Sequence, residues 1–145
     1  MSEQNMSSRS DFGVFQPITT RWKDNDVYGH VNNVTYYSWF DTAVNRYLIE
    51  SGGLDIHSDP VIAFVVSSSC RYFSPVSYPE TVEIGLRVNH LGNSSVQYGL
   101  GVFRGDGNEL CAEGEFVHVF VDRASNRASP IPERIRAALE KIRQQ

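Results

Sequence analysis

The amino-acid sequence predicts an α+β fold, in which a curved, five-stranded antiparallel sheet wraps around one long central helix and a short second helix follows at the C-terminus. Three observations carry this expectation. Five β-prone segments are spread over 145 residues, and four of them follow one another after residue 60. The single long helical segment, VTYYSWFDTAVNRYLIESGG, is apolar around most of its circumference, so other structure must cover it. A chain of this length builds one core, which sheet and helix must share.

The first residues, MSEQNMSSRSD, are polar and lack the apolar middle of a signal peptide, so residues 1–11 read as a flexible tail ahead of a single domain over 12–145. Residues 14–22, VFQPITTRW, alternate and are β-prone, which gives the first strand. The polar stretch DNDVYGHVNN follows at 24–33. In the helix, Tyr36, Tyr37, Phe40, Ala43, Val44, Tyr47 and Leu48 recur at helical spacing, and Trp39 and Ile49 widen the apolar surface. Asn32 or Asn33 caps its start, and Gly52 with Gly53 ends it. Residues 61–73 open as a continuous apolar run, which suits a central strand. Residues 81–91 and 95–103 alternate on either side of the turn HLGNSS, and RGDGNE at 104–109 marks a hairpin. Residues 110–122 close the sheet, and a phase shift near Gly114 predicts a bulge or bend. In SPIPERIRAALEKIRQQ, Pro132 suits a first turn, and Ile135, Leu139 and Ile142 line one face of the second helix. An open sheet leaves edges exposed, so a second copy is expected to continue it, as a homodimer or homotetramer.

Composition narrows the function. The net charge is −4 and no basic run occurs, which argues against nucleic acid as a partner but leaves room for a phosphate-bearing ligand held by local cations. No apolar run is long enough to span a bilayer, so no membrane role is expected. Cys70 and Cys111 lie in apolar, strand-like contexts and read as buried free thiols of a cytoplasmic protein, with a disulfide as the alternative. Two sulfur ligands are too few for a structural zinc site.

DNDVYGHVNN admits three readings. As a calcium loop it has Asp24, Asp26 and Gly29 in place, but Tyr28 and Thr35 stand where oxygen ligands are required, so calcium is rejected. As a turn it is unremarkable in composition, because Asp, Asn and Gly are ordinary turn and cap residues. As a reaction site it sets a carboxylate a few residues ahead of a helix start, whose unpaired N–H groups suit a developing oxyanion.

The run W-x-D-x-D-x-x-G-H-V-N-N-x-x-Y, from Trp22 to Tyr36, resembles the acyl-CoA thioesterases of the 4-hydroxybenzoyl-CoA thioesterase-like family, and the predicted architecture is that family's hotdog fold. The resemblance extends from about residue 12 to about residue 132, and H-V-N-N is also similar to the plant acyl-carrier-protein thioesterases. It implies that Asp26 is the catalytic carboxylate and that a backbone N–H at about Asn33 meets the thioester carbonyl. His30 would orient the carboxylate or the substrate, or serve only the loop. The family's branches differ here, since many bacterial relatives carry an apolar residue in its place. Tyr28 stands where the plant enzymes carry Asn and is a candidate substrate contact. Asp24 reads as a turn or cap residue. A branch that uses a helix Glu finds its nearest acidic counterpart in Asp41, read as structural. CoA phosphates would be met near the third and fourth strands and their turn by Arg87, His90, Ser94 and Ser95, with Arg71 and Arg104 as further candidates. Active sites at the subunit interface, with no metal and no redox cofactor, complete what the resemblance implies.

Three functions compete. The first is hydrolysis of an acyl-CoA thioester, with Asp26 as nucleophile or as general base for water. The second is hydration or dehydration of an acyl thioester by Asp26 and His30. The third is a non-catalytic acyl-CoA-binding module, which would ordinarily accompany a further domain. The D-x-D-x-x-G frame ahead of the helix favours the first, and the acidic surface favours CoA over an acidic carrier protein. Tyr36, Tyr37, Trp39 and Phe40 read as core, with one or two lining an acyl pocket. Ser67, Ser68 and Ser69 are either structural or turned towards the acyl group in the dimer cleft. His57 and His118 read as surface or strand residues without a special role.

Overall fold

The computed structural model describes residues 6–105 and 107–144; residues 1–5 of the expected tail, Asp106 of the expected RGDGNE turn and Gln145 lie outside the described residues. Strands β1 (Val14–Thr19), β2 (Val61–Tyr72), β3 (Thr81–Leu91), β4 (Ser95–Arg104) and β5 (Leu110–Asp122) form one antiparallel sheet in the order β1-β3-β4-β5-β2. Helix α1 (Asn33–Glu50) packs on one face and α2 (Glu133–Glu140) closes one end of the core. This is the architecture expected from the sequence, except that residues 61–73, expected as a central strand, lie at the sheet edge as β2.

Helix α1 buries Tyr36, Trp39, Phe40, Ala43, Val44, Tyr47 and Leu48. They meet Ile84, Leu86, Tyr98, Leu100, Phe116 and Phe120 from the middle strands in one continuous core. Trp39 joins this surface as expected. Ile49 does not: it is 42% exposed, because it shares the outer helix face with Arg46 and Glu50. A second, smaller cluster covers the opposite face of the sheet. There Phe12 packs between Phe15 and Phe103, and a Cβ at Gly85 or Gly101 would lie 2.8 Å from its ring. Ser7 and Arg9 fasten the preceding chain to Glu113 and Glu83.

Three boundaries differ from expectation, each for a local reason. The first strand stops at Thr19, because Arg21 to Asp24 is drawn into a capped 3₁₀ turn at Trp22–Asp24. The phase shift in β5 falls at Cys111, where the pairing steps from Val102↔Ala112 to Phe103↔Leu110. Gly114 itself stays in register and is small because the Phe40 ring packs on it, 2.5 Å from where a Cβ would stand. Helix α2 ends at Glu140, since the Val88 amide and carbonyl, beside an irregularity in β3, take up Ile142 and Gln144 instead.

The two sheet edges are unlike. Edge strand β1 has 6 residues and carries Pro17, whereas β2 has 12 residues, no proline, and half-exposed Phe64, Val65 and Val66. Among the described residues no helix is long and apolar enough to cross a membrane.

Candidate active site

The DNDVYGHVNN stretch folds into a tight reversal pinned at both ends. Asp24 is 3% exposed, and its carboxylate accepts the Arg21 backbone N–H at 2.8 Å and the Arg21 guanidinium at 2.8 Å. Burial pushes this carboxyl upward, but the Arg21 hydrogen bonds and charge outweigh it and hold Asp24 below its ordinary value. The Asp24 carbonyl in turn accepts the Asn32 N–H at 2.8 Å, tying the turn to the helix start. Asp24 therefore fills the turn-and-cap role its sequence position suggested.

Asp26 opens the reversal. Its N–H donates to the His30 carbonyl at 2.9 Å, and its carbonyl accepts the Gly29 N–H at 3.0 Å. Gly29 has φ +87°, a conformation that suits glycine and closes the turn. One carboxylate oxygen of Asp26 accepts the Tyr28 N–H at 2.9 Å, so the side chain stiffens its own loop and keeps a second oxygen outside that bond. The chain then returns as Val31, whose N–H donates to the Val76 carbonyl at 2.7 Å. The Asn32 side chain caps α1 by accepting the Val34 N–H at 2.9 Å. The N–H of Asn33, the first helical residue, has no acceptor among the described residues.

A cavity of about 390 Å³ lies at this point, lined by Asp26, His30, Val31, Asn33, Tyr36, Tyr72, Phe73, Ser74 and Pro75. Its polar rim is the loop and helix start. Its apolar wall comes from the end of β2 and the residues after it. The Tyr72 hydroxyl donates to the Asn33 carbonyl at 3.3 Å, and the Tyr72 and Tyr36 rings meet edge to face at 5.0 Å. Burial pushes the Tyr36 phenol up to about 12 and raises Tyr72 as well, so both remain protonated donors. The Cys70 thiol, pushed up to about 11 by burial, stays neutral and is no competing nucleophile.

One cavity thus gathers Asp26, His30 and Asn33. Tyr28 sits at the loop tip, 83% exposed, outside the lining. Arg71 is exposed beside the cavity, with its guanidinium 5.6 Å from the centre of the Phe73 ring. Arg87 lies on the other face of the sheet, ion-paired with Glu113 at 3.1 Å and stacked 4.5 Å over Phe12. Exposed His90 near the end of β3, Ser94 in the β3–β4 turn and Ser95 at the start of β4 lie at the sheet end away from the Asp26 loop. One chain alone does not bring these four to the cavity. Sequence reasoning missed Phe73, Ser74 and Pro75 and gave Tyr72 no role. The dense run RYFSPVSYP was the available signal, but it carries no motif. Arg104, read as a phosphate candidate, is instead consumed internally: it binds Glu80, Glu109 at 2.7 Å, Ser74 Oγ at 3.0 Å and the Pro75 carbonyl at 2.8 Å. Among the described residues no group of three or more His, Cys, Asp or Glu side chains is placed to hold a metal ion.

Chemically, a carboxylate and an open helix N-terminus share a pocket with an aromatic wall. Such an arrangement can polarise a carbonyl while presenting an oxygen base or nucleophile to it. Comparison with known proteins adds a family and a fold. A profile of the thioesterase-like superfamily matches residues 20–139. The PA5185 protein of Pseudomonas aeruginosa strain PAO1 is 59% identical, with 95% of this chain and 96% of that chain covered and a TM-score of 0.93. The PA2801 protein of Pseudomonas aeruginosa is 34% identical over 86% of this chain and 96% of its own, with a TM-score of 0.78. Slr0204, a 1,4-dihydroxy-2-naphthoyl-CoA thioesterase from Synechocystis, is 16% identical over 86% of this chain and 93% of its own, with a TM-score of 0.78. At that last identity the likeness is one of fold.

Proposed function

The chain belongs to the thioesterase-like superfamily, and from that premise we propose that it hydrolyses an acyl-CoA thioester to the free acid and CoA. The observation that carries this reading is one cavity lined by both Asp26 and Asn33, the latter with a backbone N–H that has no acceptor among the described residues. The thioester carbonyl accepts the Asn33 N–H at the positive end of α1, which stabilises the oxyanion as it forms. Asp26 then attacks the carbonyl carbon, expelling CoA thiolate and leaving a mixed anhydride that water cleaves, or it deprotonates a water that attacks in its place. His30, in the same cavity, orients the carboxylate or the substrate.

The same reading includes a partner. An antiparallel copy paired along β2 sets its own Val61 end beside this chain's Tyr72 end, and so adds a wall to the cavity. Its β3–β4 turn then lies two strands further over, roughly 10 Å away at ordinary strand spacing. That is how His90, Ser94 and Ser95 of a second copy come to face a CoA arm.

Thiol release from a panel of acyl-CoAs by wild type and Asp26→Asn tests the reaction. Asparagine keeps an oxygen to accept the Tyr28 N–H, so the loop survives while the carboxylate is lost. The expected result is a fall in kcat of at least about a hundredfold with the fold intact. Unchanged turnover would remove Asp26 from the chemistry. The pairing of Asp26 with His30 in one cavity also suits a hydratase. Loss of enoyl absorbance from crotonyl-CoA without thiol release would favour that second reading.

A further inference from the structure

We infer that this site takes a compact, apolar acyl group, because Tyr36 and Tyr72 close the cavity one helical turn beyond the Asn33 N–H; the inference deepens the thioesterase reading and rests on it. Asn33 and Tyr36 are three residues apart, a rise of about 4.5 Å along the helix. An acyl group reaching from the Asn33 N–H towards Tyr36 therefore has room for roughly one aromatic ring or four carbons.

The floor is firm. Tyr36 is 3% exposed and sits between Tyr72, at 5.0 Å, and Trp39, at 4.9 Å between ring centres. The Tyr72 hydroxyl is held by the Asn33 carbonyl, so its ring cannot swing aside without losing that bond. Nothing opens behind. Trp39 and Phe40 are 5% and 0% exposed, and the Phe40 ring already rests on the backbone of Gly114. Within this chain, the space between helix and sheet is filled by Ala43, Val44, Tyr98 and Phe116. The walls are apolar, from Val31, Phe73 and Pro75, and no lysine or arginine lines the cavity to receive an acyl group that carries its own carboxylate.

The test measures binding and turnover on the same length series. Binding uses 2-oxoalkyl-CoA thioethers, which keep the carbonyl but cannot be hydrolysed. Affinity should rise roughly fourfold per methylene up to about butanoyl length and then stop. For acyl-CoAs from acetyl to palmitoyl, with benzoyl included, kcat/KM should peak at butanoyl or benzoyl and fall at least tenfold by octanoyl. Tyr72→Ala, at the sheet edge, removes half the floor without opening the core and should move the limit to longer chains. Tyr36→Val should do the same more strongly, and Tyr72→Ala keeps the test decisive if Tyr36→Val does not fold. Affinity that keeps rising through octanoyl and palmitoyl in the wild type would overturn the inference, as would a limit unmoved in a folded Tyr72→Ala. The two readings separate cleanly. Hydrolysis that favours long chains keeps the thioesterase and removes the length limit. A length limit on the thioethers without hydrolysis of any acyl-CoA does the reverse, and the absence of both thioether binding and hydrolysis overturns both.

Discussion

Asp24 and Asp26 stand two positions apart and meet different surroundings. Asp24 is buried and saturated by Arg21, while Asp26 keeps one carboxylate oxygen outside its loop bond and lines a cavity. The residue types alone show both alike; the resemblance assigns them different roles, and the backbone path gives the physical reason. His118 shows a further property that composition hides. It is 1% exposed, with the Tyr98 hydroxyl 3.3 Å from its Nδ1 and the rings of Phe116 and Phe120 around it. Burial pushes its pKa from 6.5 down to about 4. Between those values the unfolded chain binds more protons than the folded one, so stability falls as pH falls through this window, by up to roughly 3 kcal/mol. Asp24 acts in a different window: its depressed pKa withdraws stability only below the ordinary value of 3.8. Urea unfolding near pH 7 and near pH 4.5 should therefore show a marked acid loss in wild type and a much smaller one in His118→Gln. An equal loss in both would assign the acid sensitivity to carboxylates instead.

At the scale of elements, the helix and its preceding loop were legible and the facing wall was not. Residues 24–36 announce themselves by a motif and by helical spacing, because their interactions are local: the Asn32 cap, the Asp26 turn and the glycine at φ +87°. Residues 72–80 announce nothing, because what gives them meaning is distant in sequence. Tyr72 meets Asn33 across 39 positions, Ser77 Oγ donates to the Gly29 carbonyl across 48, and the Tyr78 N–H donates to Asn25 Oδ1 across 53. Arg104 holds this segment from its other side, through Glu80, Ser74 and Pro75. Its planar fork makes bonds that an ammonium group cannot reproduce together. Arg104→Met should cost about 1 kcal/mol in urea unfolding, by leaving the Ser74 hydroxyl and the Pro75 carbonyl without their donor. Amide exchange over residues 73–80 should speed up, and KM should rise because the segment forms the cavity wall. Arg104→Lys should recover only part of either effect. Unchanged exchange in Arg104→Met would mean that Val76, Ser77 and Tyr78 suffice to hold the wall.

For the molecule as a whole, the asymmetry of the sheet edges is the feature on which the proposed paired site rests. A long, proline-free edge with exposed apolar side chains is an aggregation hazard unless it is paired, and β2 is such an edge while β1 is not. The sequence foretold an edge to be covered but placed residues 61–73 as a central strand, since a continuous apolar run looks the same whether its neighbour comes from the same chain or another. Those run residues are half exposed in one chain, and pairing along β2 would make the strand central after all. Val66 tests this. It is 59% exposed and sits at the irregularity in the β2–β5 pairing, so a charge there should be tolerated by the folded single chain. In a paired edge the two copies of the charge would be brought together in a desolvated seam. Val66→Lys should therefore weaken self-association at least tenfold by analytical ultracentrifugation, leave the unfolding midpoint of the separated chain near its wild-type value, and lower turnover in step with the fraction dissociated. Turnover that persists in a fully monomeric variant would place the whole reaction within one chain and leave the partner wall without a role.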